Sequence, residues 1–291
     1  MPTIPSAKLL ANSFEIISRL RSAERNFSPA DINSTILQKV LELTQLAPSS
    51  FNMQPYKGIV IQSEKSKELL ASCMLGGNCN VVMSAPVSVI FLGDKGKKLL
   101  LTSSLYPSYS LTMQIRTDPS RNIGKLMQLE LKNGSNPEYV NTIPSRINFL
   151  YGNGLLSTAF RKVVTHLTSP LSAAPKIARD NESFAYKNAA LAGMQFMLAA
   201  TSLGLSTCPM EGFDERRICY GFNIPTNYGI PFVISLGYAQ NGINFSQDDS
   251  LDESKDELQY DLTAIPLPKK VRFNLEDVFC SNTFGEPFRL K

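Results

Sequence analysis

Pro48-Ser49-Ser50-Phe51-Asn52-Met53-Gln54-Pro55 separates two different periodicities. Before it, Ile36, Leu37, Val40, Leu41 and Leu43 recur as one face of a helix. Ser28 is expected to cap that helix, Pro29 to sit in its first turn, and Pro48 to end it after Ala47. After the loop, Gly58-Ile59-Val60-Ile61 reads as a strand. The loop places two hydroxyls and two amides in eight residues, side chains that both donate and accept hydrogen bonds. That set suits a ligand that offers hydrogen-bond donors and acceptors alike. A plain turn rich in serine and asparagine has the same composition.

Outward from the loop, Ser13–Leu20 reads as a helix on Phe14, Ile17 and Leu20, and Lys65–Met74 as another. Ala85–Leu92 is a near-continuous apolar strand, the kind buried on both faces. Phe184–Gly204 is apolar nearly all round, so it is expected to be a central, closely packed helix that stops at Gly204. Its small residues suit a tight helix contact, including one across a subunit boundary. Leu205–Met210 and Pro231–Tyr238 read as buried strands around a short helix at Asp214–Gly221, and Ser246–Asp256 as an exposed acidic loop. Between Gly93 and about Ser183 the periodicity decays; a compact domain rarely holds so long a structureless loop, so this insert should carry helices of its own. The expectation is an α+β chain, one domain over residues 1–291, with a central mixed sheet surrounded by helices and an insert at about 93–183.

Hydrophobic residues make up 43% and charged residues 19% of the 291, a soluble globular balance. No stretch is long and apolar enough for a membrane span. The net charge of +4 is too small to argue for nucleic acid. Met1–Leu20 lacks the pattern of a secretory signal; Ser6, Lys8, Ser13, Ser18 and Arg19 leave a mitochondrial address open, Glu15 speaks against it, and the cytoplasm is expected. Five cysteines without a Cys-x-x-Cys pair fit neither a disulfide framework nor a zinc or iron–sulfur site. The single histidine, His166, has no acid near it in sequence and reads as structural. The chemistry therefore calls for a cofactor. Lys95, Lys97 and Lys98 read as a solvated turn, whereas Lys269-Lys270-Val271-Arg272 is a candidate anion site.

Four segments and the late basic cluster together resemble the nitroreductase family of FMN flavoproteins from Arg21 to Arg272, the middle insert excepted. Arg21-Ser22-Ala23-Glu24-Arg25-Asn26-Phe27 is similar to the family's Arg-x-Ser-x-Arg/Lys-x-Phe, with Ala23 where serine is usual. Pro48–Pro55 is similar to Pro-Ser-Ser-x-Asn-x-Gln-Pro-Trp, with Tyr56 in place of tryptophan. Asn78–Pro86 resembles an Asn-x-x-x-Val-x-x-Ala-Pro run into a central strand, and Pro209-Met210-Glu211-Gly212-Phe213-Asp214 resembles Pro-x-Glu-Gly-Phe-Asp. Lys270-Val271-Arg272 resembles the late Lys-x-Arg.

The resemblance implies a nitroreductase-like fold, an intertwined homodimer and FMN held by Arg21, Ala23, Arg25, Pro48, Ser49, Ser50, Asn52, Gln54, Asn78, Pro209, Glu211, Gly212, Lys270 and Arg272. Arg21, Lys270 and Arg272 would take the phosphate, where a guanidinium fork suits two oxygens at once. Arg25 and Asn78 would lie at the pyrimidine side, Glu211 and Gly212 would act through backbone N–H groups near flavin N5 and O4, and the Pro48–Pro55 loop would reach a flavin held mainly by the other subunit. No titrating catalytic side chain is implied. The implied reaction is ping-pong hydride transfer from NADH or NADPH to a small planar acceptor such as a nitroaromatic or quinone. Two other readings stand beside it. One is a specialised member, a reductive dehalogenase or flavin-modifying enzyme, since Glu182-Ser183-Phe184-Ala185-Tyr186 has the Glu-x-x-x-Tyr spacing of deiodinase-like lids. The other is a flavin-binding sensor without turnover.

Overall fold

A computed structural model describes residues 6–95, 127–134, 136–138, 155–170, 181–240, 270–286 and 288. Lys97, Lys98, Lys269 and the acidic stretch 246–256 lie outside them. The chain divides into two compact units, Met1–Ser22 with Asp248–Lys291, and Ala23–Gln247.

The larger unit is built on a sheet of β1 (Tyr56–Ile61), β2 (Val87–Asp94), β3 (Ser206–Met210) and β4 (Tyr228–Gly237), in the order β1-β2-β4-β3. The three strand pairings are antiparallel, and a parallel bridge from Ala23 to Thr207 makes the sheet mixed, as expected. β2 is buried along almost its whole length because helices cover both faces. Val87, Val89 and Phe91 turn to one core, with Leu37 and Val40 of α2 (Ser34–Gln45) and Phe196 of a long helix described below. Ile90 and Leu92 turn to the other core, with Leu70 of α3 (Glu64–Cys73) and Val81 and Val82 of α4 (Asn78–Ser84). Ser88 would be a polar intruder, but its hydroxyl meets that of Ser235 at 2.8 Å, so neither is left unsatisfied.

In the insert, residues 127–132 are helical and α5 spans Leu155–Thr168, so it does carry helices of its own. His166 is exposed on α5. The long apolar helix is α6 (Asn181–Ser202), followed by Gly204 at φ +75° as its left-handed stop. Gly193 of α6 allows the helix to lie directly on β4: a Cβ there would sit 2.5 Å from Phe232 Cζ. α7 (Glu215–Gly221) is capped by Asp214, whose side chain accepts the Arg217 N–H.

Two local expectations need correction, and a third holds. α2 starts at Ser34 under an Asn33 cap, because the Ser28 N–H is used by the Tyr238 carbonyl, beside the bridge from Phe27 to Ala239. The Asn78–Pro86 run leads into the central strand as expected: Asn78–Ser84 is helical, and β2 begins directly after Pro86. The first helix, α1, begins at Ala7, where Ser6 accepts the Leu9 N–H.

The smaller unit contains α1 (Ala7–Leu20) and a single turn, α8 (Leu275–Val278), and neither helix has a buried residue. Among the described residues no helix is long and apolar enough to cross a membrane.

Candidate functional site

In the smaller unit, three expected cations converge. Arg21 is the C-terminal cap of α1, its N–H bonded to the Ile17 carbonyl. Lys270 Nζ donates to the carbonyls of Ser18 and Arg21, which ties positions 249 residues apart. Burial, then the charges of Arg21 and Arg272, hold Lys270 below the usual lysine range. Such a cluster gains electrostatically from an anion, because the carbonyls soften the repulsion but supply no net negative charge.

In the larger unit, Ala23 lies beside β3, with its neighbour Glu24 donating an N–H to the Thr207 carbonyl at 3.0 Å. Glu24 Oε1 accepts the N–H groups of Arg25 and Asn26. Arg25 is exposed, and its charge reaches Cys208, where it partly offsets the rise that burial imposes on the thiol.

The Pro48–Pro55 segment is a short 3₁₀ turn, Ser50–Asn52, with an irregular exit. Phe51, Asn52 and Gln54 have φ of +54°, +52° and +47°. Such conformations cost about 1–3 kcal/mol for a side-chain-bearing residue unless surroundings impose them, asparagine tolerating them best. Two side chains do the imposing. Ser49 Oγ accepts the Gln54 N–H, and Asn188 Oδ1 of α6 accepts the Ser50 N–H, both at 2.9 Å. Asn188 is fully buried and donates to the Phe184 carbonyl, so the loop is anchored to the central helix. Pro48 is exposed at the loop entrance. Asn52 and Gln54 are exposed, and bond one another, Gln54 Nε2 to Asn52 Oδ1 at 3.2 Å.

A second group forms where β3 ends. Pro209 sits in the outermost strand of the four, where a missing N–H is tolerated. Past Met210, the Gly212 carbonyl accepts from both the Leu75 N–H, at 2.9 Å, and Asn78 Nδ2, at 3.1 Å. A Cβ on Gly212 would lie 2.8 Å from that Nδ2. Among the described residues the Gly212 N–H has no acceptor. Glu211 is exposed at the same turn. The loop that enters β1 and the turn that leaves β3 thus belong to opposite edge strands, which lie three interstrand spacings or about 14 Å apart across the sheet.

Glu182 and Tyr186 are one turn apart on α6. The Tyr186 hydroxyl bonds to Glu182 and to Glu215, and burial followed by these carboxylates pushes its titration up. Sequence reading missed two residues that matter to the loop. Asn188 carried a faint signal as an amide in an apolar helix, while Glu130, which bonds Asn52 Nδ2 at 2.6 Å, carried none across 78 positions.

A model of the nitroreductase family matches residues 19–80 and 154–238. A Bacillus subtilis protein named as an NAD(P)H nitroreductase, MhqN, is 26% identical over 228 residues, which is 78% of this chain and 89% of the relative. A second from the same organism, YodC, is 24% identical over 79% of this chain and 91% of its own length. Among solved structures, a nitroreductase-type protein of B. subtilis superposes with a TM-score of 0.58 at 20% identity, covering 92% of this chain and 98% of its own. One from Exiguobacterium sibiricum, solved in complex with FMN, superposes with a TM-score of 0.53 at 21% identity, covering 88% and 99%.

Proposed function

This chain belongs to the nitroreductase family, and we propose that it is an FMN-dependent oxidoreductase acting as a homodimer with NADH or NADPH as donor. Bound FMN would supply the two-electron chemistry at N5, a hydride taken from the nicotinamide and passed in a ping-pong cycle to a planar acceptor such as a nitroaromatic or quinone.

The observation that carries this reading is the Gly212 turn. Its carbonyl is doubly used, its N–H is not, and the missing side chain leaves the backbone bare for close approach. A bare, pre-set N–H is what a neutral heteroaromatic edge needs, and the Glu211 N–H beside it would serve the same edge. Asn78 holds the turn and would lie at the pyrimidine side. Arg25 would offset negative charge developing at that side on reduction. Arg21, Lys270 and Arg272 fit a phosphate dianion, since three cations favour a doubly charged group over a neutral one. The Pro48–Pro55 hydroxyls and amides fit ribityl hydroxyls and ring edges. Placement of that loop at the sheet edge opposite Gly212 supports its service to a partner subunit's flavin. The donor set fits FMN. Glu182 and Tyr186, bonded to one another inside α6, give no support to a substrate lid.

The test is direct: the purified protein should be yellow, or turn yellow with FMN, and bleach on anaerobic addition of NADH or NADPH. A colourless protein that FMN cannot reconstitute would overturn the reading, and a yellow one that neither nicotinamide bleaches would favour a sensor.

A further inference from the structure

Among the described residues, the insert meets the cofactor loop through the side chain of Glu130. Asn52 Nδ2 donates to Glu130 Oε1 at 2.6 Å, the carboxylate oxygen accepting. On its other side, Gln54 Nε2 donates to Asn52 Oδ1 at 3.2 Å and approaches the Asn52 carbonyl at 3.4 Å. The two ends of a carboxamide have nearly the same shape, so only the hydrogen-bond network chooses between its two orientations. An ionised carboxylate accepts and cannot donate. Glu130 therefore admits only the NH₂ end of Asn52, which turns Oδ1 toward Gln54. Oδ1 in turn admits only the NH₂ end of Gln54. With Nε2 committed to Asn52, the end of Gln54 left for a ligand is the acceptor, Oε1.

We propose that Glu130 is a positioning residue for the cofactor loop: its one charge sets both amide orientations, so that Gln54 presents an acceptor to an N–H or O–H donor of the flavin. The inference rests on the FMN reading and adds to it a role for the insert. Asn52 and Gln54 both hold left-handed backbone and their side chains bond one another, so a contact made at Asn52 reaches Gln54 as well.

The full-length chain, stripped of flavin, is titrated with FMN while flavin fluorescence is followed, for the wild type, Glu130→Gln, Asn52→Asp and the double variant. A glutamine at 130 can turn either end to Asn52, so the relay loses its direction, and affinity should fall about tenfold. Asn52→Asp faces one carboxylate with another and should bind more weakly still. Aspartate tolerates left-handed backbone as asparagine does, so the loop path is kept. In the double variant the donor and acceptor have changed places: the glutamine at position 130 donates to the carboxylate at position 52, and that carboxylate again accepts from Gln54. Binding should return to within about threefold of the wild type. A merely structural contact gives no such recovery. Melting of the flavin-free proteins confirms that the variants fold, and Glu130→Ala replaces any that do not. Unchanged affinity in Glu130→Gln, or a double variant no better than the weaker single, overturns this inference and leaves the FMN reading intact. A wild type that binds no FMN overturns both.

Discussion

At the residue scale, the loop shows how a few side chains sustain backbone that would not hold by itself. Asn188→Ala removes the acceptor of the Ser50 N–H and should cost about 1–3 kcal/mol, the cost of a part-buried hydrogen bond left unmade. Denaturant unfolding measures the cost, and weakened FMN retention in the folded variant would place it at the loop. Gly212→Ala tests the bare turn. The new Cβ has no conformational objection to meet, but it must displace Asn78 Nδ2, 2.8 Å away, and it covers the backbone. The expected result is a protein that melts near the wild type and holds little flavin. Lys270 offers a pH test. Its folded-state proton affinity lies below the ordinary value of 10.5, so its protonated form costs stability wherever it is charged folded and unfolded alike. The cost disappears as pH rises through the depressed pKa toward 10.5, so stability should rise in that window. Anion binding needs the charged form and should fall in the same window. Inorganic phosphate added to the flavin-free protein should raise its melting temperature at neutral pH, less at alkaline pH, and less at neutral pH in Lys270→Met.

At the scale of elements, the sheet and α6 are legible as physics. Continuous apolar β2 demands helices on both faces, and receives α2 and α6 on one, α3 and α4 on the other. Gly193 lies in the middle of a helix, where it costs about 1 kcal/mol in propensity. Its compensation is closeness to Phe232. Gly193→Ala should therefore destabilise despite the better helix former, by about 1–3 kcal/mol, because the Cβ overlaps the half-buried Phe232 ring. Chemical denaturation decides; a gain in stability would mean that the ring moves aside without cost. The misplaced start of α2 has a tertiary cause. Ser28-Pro29 and Asn33 both offer a helix start, and the choice fell to Asn33 once Ser28 was drawn into backbone pairing with Tyr238.

At the scale of the whole molecule, α6 leaves the large apolar Leu191 and Met194 exposed, 43% and 45%, although its opposite side packs into the core. An apolar face of this kind is expected to be covered by a second copy. Light scattering should report a dimer for the wild type, and Leu191→Glu with Met194→Glu should yield monomers that have also lost flavin; a flavin-bound monomer would sink the dimer reading. The sequence alone determined which segments are apolar on one face, on two or all round. That suffices for an α+β core around a mixed sheet, because burial is dictated by local pattern. It also determined which polar residues cluster within single loops, as at Pro48–Pro55. Only the tertiary structure decided which distant groups meet: Lys270 with Arg21, Gly212 with Asn78, Ser50 with Asn188, Asn52 with Glu130. Hydrogen-bond pairing between residues tens or hundreds of positions apart leaves no local period, since each partner is chosen by the path of the chain between them.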